Sequence, residues 1–216
     1  MFRQIEKNKT VRLISHLDAD GISAVSILVR ALDREDINYS ISIVHQLKEH
    51  IIRNLSNEDH THFIFTDIGS GQIDDIKKIM KDKRVWIFDH HETNQKKEDN
   101  QTNNPTLVHI NPHFFGIDGA KEISGSGIVY LFAEKLNKKN QDMAHIALIG
   151  AIGDNQEDNG FLRLNSEILD SAISSGNLEV TTGLKLFGAQ TKALFKILSF
   201  STDPLSRESQ GVIQAQ

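Results

Sequence analysis

The chain has 216 residues and no Cys, with 24 Lys and Arg against 29 Asp and Glu, 10 His and a formal net charge of -5. That length can bury a sizeable core, which excludes a miniature cross-linked scaffold, and the lack of thiols excludes a disulfide framework, a thiolate zinc site and an iron-sulfur cluster. No apolar run approaches the roughly 20 residues that span a bilayer, and Met1 to Thr10 lacks the apolar centre of a secretion signal, so the expectation is a cytoplasmic protein with no membrane partner.

In chain order, Val11 to Ser15 reads as a buried strand, and Gly21 to Arg34 as a helix, with Ile22, Val25, Leu28, Val29 and Leu32 at helical spacing. Tyr39 to Val44 reads as a second strand and Leu47 to Leu55 as a short helix. His62 to Phe65 is a third strand, Ile73 to Met80 a helix, and Val85 to Phe88 a fourth strand. Glu92 to Pro105 has no apolar residue and reads as an exposed loop, after which Leu107 to Ile110 resumes a strand. Ser126 to Leu136 and Met143 to Ile152 read as helices, the second nearly all apolar and therefore buried. From Asn165 the pattern is helical but less regular, and Ser201 to Gln216 has little that could pack.

Alternation of this kind predicts an α/β fold: a parallel β-sheet with helices on both faces, followed by a mainly helical C-terminal part. Residues 1–160 are expected to form the α/β core, 161–204 a helical extension of the same domain, and 205–216 a tail or truncated linker.

The acidic balance argues against a domain that holds nucleic acid by charge alone. It leaves room for a nuclease, because carboxylates loaded with divalent cations present a positive surface. Ligands of open parallel sheets bind beyond the carboxyl ends of the strands, and polar residues cluster there. The first strand is followed by His16-Leu17-Asp18-Ala19-Asp20-Gly21, the third by Thr66-Asp67-Ile68-Gly69, the fourth by Asp89-His90-His91-Glu92, and the apolar helix ends in Gly150-Ala151-Ile152-Gly153-Asp154-Asn155. Taken singly, Asp18 or Asp67 is a helix cap and His90-His91 a surface turn. Gathered at one sheet edge, the acids would repel one another unless cations neutralised them. Carboxylates with a few imidazoles suit manganese or magnesium, and two such ions can stabilise the attacking and leaving oxygens of a displacement at phosphorus.

These segments, SHLDADG (15–21), TDIG (66–69), FDHHE (88–92) and GAIGDN (150–155), resemble the four motifs of the DHH phosphoesterase family in order and approximate spacing, over nearly the whole chain. The segment from Gly183 to Pro204 is similar to archaeal RecJ-like nucleases, some of which associate with replication machinery. The resemblance implies that Asp18 binds one metal, with His16 as a further ligand whose competing role is helix capping. It implies that Asp20, His90 and Asp154 bind a second metal, and that Asp67 bridges both. His91 would face the scissile phosphate as a stabiliser or proton donor, and Asp89 would orient the histidines. The cofactor so implied is two Mn2+, with Mg2+ as the substitute. The glycine-rich signature of the second, substrate-gripping domain common in active members does not occur within these residues, so the expectation is either a truncated chain or a natural single-domain variant.

Other residues have weaker readings. Ser124, Ser126 and Gly127 open a helix where backbone donors could receive a phosphate oxygen, or merely cap it. His109 and His113 are read as surface loop residues. The Lys77, Lys78, Lys81, Lys83 and Arg84 cluster and the pair Lys96-Lys97 read as solvating charge. Phe114-Phe115 reads as buried, with base stacking as the alternative. Three functions remain open: a phosphodiesterase on single-stranded DNA or RNA; a hydrolase of short oligonucleotides, cyclic dinucleotides or pyrophosphate; and a non-catalytic replication-complex component.

Overall fold

The computed structural model describes residues 9–93, 106–158, 160–181, 191–193, 195–196 and 212–214. Five strands, β1 (Val11–His16), β2 (Tyr39–Val44), β3 (His62–Thr66), β4 (Arg84–Phe88) and β5 (Leu107–Ile110), form one sheet in the order β2-β1-β3-β4-β5, and every pairing is parallel. Parallel strands must be covered on both faces, and the side chains divide accordingly. Val11, Leu13, Ile64, Trp86 and Phe88 pack into one apolar cluster with α1 (Ala19–Arg34), α4 (Gly125–Leu136), α5 (Ala144–Gly153) and α6 (Arg163–Ser174). Ile14, Phe63, Phe65, Val85 and Ile87 point the other way, into a cluster with Ile52 and Leu55 of α2 (Glu49–Ser56) and Ile73 and Ile76 of α3 (Ile73–Ile79). The alternation along each strand follows from the two-residue period of its side chains.

The strands and helices read from the sequence are present, with ends displaced by one or two residues. The first helix begins at Ala19 rather than Gly21 because Asp18 caps it, its side chain accepting from the Gly21 amide. The second starts at Glu49, so the buried Leu47 precedes it.

The part that follows α5 begins with the helix α6. After α6 come two strands, β6 (Glu179–Thr181) and β7 (Val212–Gln214), which pair antiparallel with Val180 opposite Ile213. Triplets so short carry no periodic signal, yet each can satisfy its backbone groups on the other. The polar stretch after Thr93, Lys96-Lys97 and most of the segment from Gly183 to Pro204 lie outside the described residues.

Candidate metal centre

The strand order places β2 on one side of β1 and β3 on the other, so chain direction across the sheet reverses between β1 and β3. Open α/β sheets bind ligands in the crevice at the carboxyl end of such a switch point. Asp18 and Asp20 follow β1 and Asp67 follows β3 there, while Asp89, His90 and His91 follow the neighbouring β4. Asp154 joins them from the C-terminus of α5.

Three triads result, each with donor atoms within 4.8 Å of one another: His16, Asp18 and Asp67; Asp20, His90 and Asp154; and Asp67, His90 and His91. His90 Nε2 lies 3.2 Å from Asp67 Oδ1, 3.3 Å from Asp154 Oδ2 and 3.6 Å from Asp20 Oδ2. On the other side, His16 Nδ1 is 2.6 Å from Asp18 Oδ2 and 3.6 Å from Asp67 Oδ2. Asp67 therefore stands between the two sets. Its backbone is left-handed at φ 58, a conformation uncommon outside Gly, and its amide donates to the Phe88 carbonyl at 2.8 Å.

Asp20 is fully buried, and both its oxygens are held at the start of α4: Oδ2 accepts from Gly125 N at 2.6 Å and Oδ1 from Ser126 N at 2.9 Å. Ser124 Oγ accepts from Gly127 N, and Ser126 Oγ donates to the Ala147 carbonyl. Of the backbone donors that the sequence offered to a phosphate oxygen, the Ser126 amide is thus taken by Asp20 and the Gly127 amide by the Ser124 cap. A helix N-terminus favours an anion, and here the anion is a side chain of the same protein.

The histidines are aimed by their second nitrogens. His90 Nδ1 donates to the Gly119 carbonyl at 2.7 Å, which leaves Nε2 toward the carboxylates. That carbonyl also accepts from Gln156 Nε2, whose own Oε1 accepts from Asn165. His91 Nδ1 donates to Asp89 Oδ1, and Asp89 accepts two backbone amides as well, from His91 and from Ser70. Gly119, Gln156, Asn165 and Ser70 were invisible as site residues in the sequence, because carbonyl acceptors and lone amides carry no motif.

His109 differs from its reading as a surface residue: it lies within β5, is buried, and pairs through Nε2 with Ser70 Oγ at 2.8 Å. Its ring meets Phe114 edge-on. Phe114 is buried as expected, whereas Phe115 is exposed. Lys83 engages its charge locally, donating to the carbonyls of Glu58 and His60.

Electrostatics single out the same atoms. Burial pushes the Asp67 carboxyl up to about 9, with Asp20 and Asp18 adding repulsion and His90 offsetting part of it. Burial and Asp20 raise Asp154 to about 6. Burial opposes charge on His90, but Asp67 and Asp20 outweigh it and carry the ring upward. Burial alone would raise Asp89, yet the His91 ring and the Ser70 amide hold it well below the usual carboxylate range. Among the described residues, Asp67 Oδ1 and Oδ2, His90 Nε2 and Asp154 Oδ2 are buried without a hydrogen bond. Buried polar atoms are rarely left so, and oxygen and imidazole donors converging in this way fit divalent cations such as manganese or magnesium.

Residues 10–153 match the DHH family, N-terminal domain, and the chain belongs to that family. It is 32% identical over 197 residues to an uncharacterized protein of Methanocaldococcus jannaschii, a match covering 90% of this chain and 44% of that protein; the chain thus spans less than half the length of this curated relative. Among solved structures it is similar to exonuclease RecJ bound to manganese, with TM-score 0.61 and 19% identity over 78% of this chain and 44% of that one. A second RecJ, in complex with Mn2+ and from Thermus thermophilus, gives TM-score 0.58 and 20% identity over 80% of this chain and 25% of that one. CDC45 from Entamoeba histolytica gives TM-score 0.58 and 20% identity over 86% of this chain and 37% of that one. The fold is RecJ-like.

Proposed function

We propose that this chain is a metal-dependent phosphodiesterase that hydrolyses single-stranded DNA or RNA, with His16, Asp18 and Asp67 holding one divalent ion and Asp20, His90, Asp154 and Asp67 a second. The observation that carries the reading is the set of buried donor atoms on Asp67, His90 and Asp154 that converge at the sheet's switch point without a hydrogen bond. A scaffold would gain nothing from carboxylates crowded closely enough to raise one another's pKa. The likeness to two manganese-bound RecJ structures supports manganese as the ion and nucleic acid as the substrate.

Ions bound there would supply charge stabilisation to the phosphoryl oxygens and the attacking and leaving oxygens. The chain's own residues supply orientation and a proton. Asp20 is fixed by two amides and His90 by the Gly119 carbonyl, so neither must reorganise when loaded. His91, raised above its ordinary value by Asp89, is more than half exposed and keeps Nε2 turned away from Asp89. In this reading it gives a proton to the leaving oxygen as the phosphorus–oxygen bond breaks.

The test compares hydrolysis of a labelled single-stranded oligonucleotide, a dinucleotide and pyrophosphate by chelator-treated protein reloaded with manganese. Fastest turnover of the oligonucleotide is expected. Preference for the dinucleotide or pyrophosphate would assign a small-phosphoester hydrolase instead. Inertness toward all three, with ions bound, would assign the non-catalytic replication component.

A further inference from the structure

A buried polar network lies behind the Asp89-His90-His91 loop and is not used by the metal triads. Ser70, Asn111, Asp89 and His109 are all buried. Ser70 N donates to Asp89 Oδ2 at 2.7 Å, while Asn111 Nδ2 donates to the His91 carbonyl at 2.9 Å and to Ser70 Oγ at 3.0 Å. Ser70 Oγ, which accepts from Asn111, also pairs with His109 Nε2, 2.8 Å away. The network joins the turns that follow β3, β4 and β5.

We propose that Ser70 and Asn111 are positioning residues that jointly hold His91 toward the acidic centre: the Ser70 amide steadies the Asp89 carboxylate, Asn111 holds the His91 carbonyl, and the Ser70 hydroxyl, lost in Ser70→Ala while the amide stays, fixes the Asn111 side chain. Asp89 Oδ1 holds the His91 ring and amide, and the His91 carbonyl is held separately, by Asn111. The Asn111 amide pins that backbone, and its Oδ1, accepting from His113 N at 3.0 Å, fixes the amide in turn. His109, kept neutral by burial, pairs with the Ser70 hydroxyl and so fixes its position. The consequence for turnover rests on the phosphodiesterase reading; the geometric claim does not.

The test uses uniformly 15N-labelled full chain without metal, and follows the ring nitrogens and Hδ1 proton of His91 by NMR. In the wild type Hδ1 is protected from solvent by Asp89. Ser70→Ala, which deletes one atom, and Asn111→Ala are both expected to shift the ring nitrogens and speed Hδ1 exchange, with amide spectra of the sheet unchanged. Ser70→Thr, which keeps the hydroxyl, should restore the wild-type signature. In manganese the two Ala variants should lose about 10- to 100-fold in kcat with KM little altered. An unchanged His91 signature in folded Ser70→Ala overturns the proposal, whether or not Asn111→Ala folds. A wild-type chain that hydrolyses nothing sinks the phosphodiesterase reading and leaves the ring measurement decisive.

Discussion

The His91 ring donates from Nδ1 to Asp89 Oδ1 at 2.7 Å, and the same nitrogen is 3.9 Å from Asp67 Oδ1. The shorter contact commits that nitrogen to Asp89, so the ring meets the acidic centre as a neighbour rather than as a ligand through Nδ1. His91→Gln is therefore expected to cut kcat by about 10²- to 10⁴-fold, the usual worth of a general acid. Manganese stoichiometry by calorimetry should stay as in the wild type. Loss of an ion in that variant would make His91 a ligand.

Asp20 and Asp154 belong to one triad but differ in what holds them. Asp20 satisfies two buried amides at the start of α4, whereas Asp154 Oδ2 has no hydrogen bond. Asp20→Ala strands both donors and should destabilise even the metal-free chain, by about 3 kcal/mol for two bonds to a charged acceptor. Asp154→Ala removes a group raised by burial and repulsion, so its metal-free stability should equal or exceed that of the wild type. Urea unfolding in chelator separates the cases, and equal losses in the two variants would contradict the separate roles.

Two glycines bring the helices close enough for the site to form. A Cβ on Gly125 would lie 2.8 Å from Asp20 Oδ2 and 2.9 Å from Asp67 Oδ1, and one on Gly150 would overlap Asp20 Oδ1 and Ser126 Oγ. Gly125→Ala and Gly150→Ala must push carboxylates aside, costing about 1–3 kcal/mol and weakening metal binding although no ligand is altered. Gly71→Ala has open space around its Cβ and serves as the control. Manganese titrations that match the wild type in both site variants would show that the carboxylates tolerate displacement.

What could be seen in the sequence followed from where the physics is local. Strands covered on both faces are apolar throughout, so Val11 to Ser15, His62 to Phe65 and Val85 to Phe88 marked themselves, and acids set just after them marked a sheet edge. What could not be seen depends on partners distant in the chain. Asp20 takes the amides at Ser126 and Gly125, so a helix start that looked ready for phosphate was already filled. His109 looked like a loop residue beside Asn111-Pro112, but it is buried, paired with Ser70 and set against the ring of Phe114. The β6–β7 pair joins triplets far apart in the chain, each too short to declare itself.

Asp67 and His90 both have their protonated forms favoured, Asp67 by burial and repulsion and His90 by the carboxylates around it. At pH 7 the metal-free centre therefore holds protons where ions would sit, and cations must displace them. Manganese binding should release about one to two protons, and affinity should rise with pH up to the range in which those groups deprotonate unaided. Calorimetry at pH 7 in buffers of different ionisation enthalpy reads the number directly. Identical apparent enthalpies in the two buffers would mean that no proton leaves.

His109 gives a pH dependence that is independent of metal. Burial lowers its ring from the ordinary 6.5 to about 4, only partly opposed by Asp89. Above pH 6.5 the ring is neutral in both folded and unfolded chains, and its full contribution is present. As pH falls below 6.5 the unfolded chain takes the proton first, so stability drains until about pH 4, where the folded ring also protonates. The shift corresponds to about 3 kcal/mol over that window. His109→Gln, which can still pair with Ser70, does not titrate there. Between about pH 7.5 and 4.5 the metal-free wild type should lose more unfolding free energy than this variant, with acids common to both cancelling in the difference. Parallel stability curves for the two chains would show that the ring titrates alike in the folded and unfolded chains.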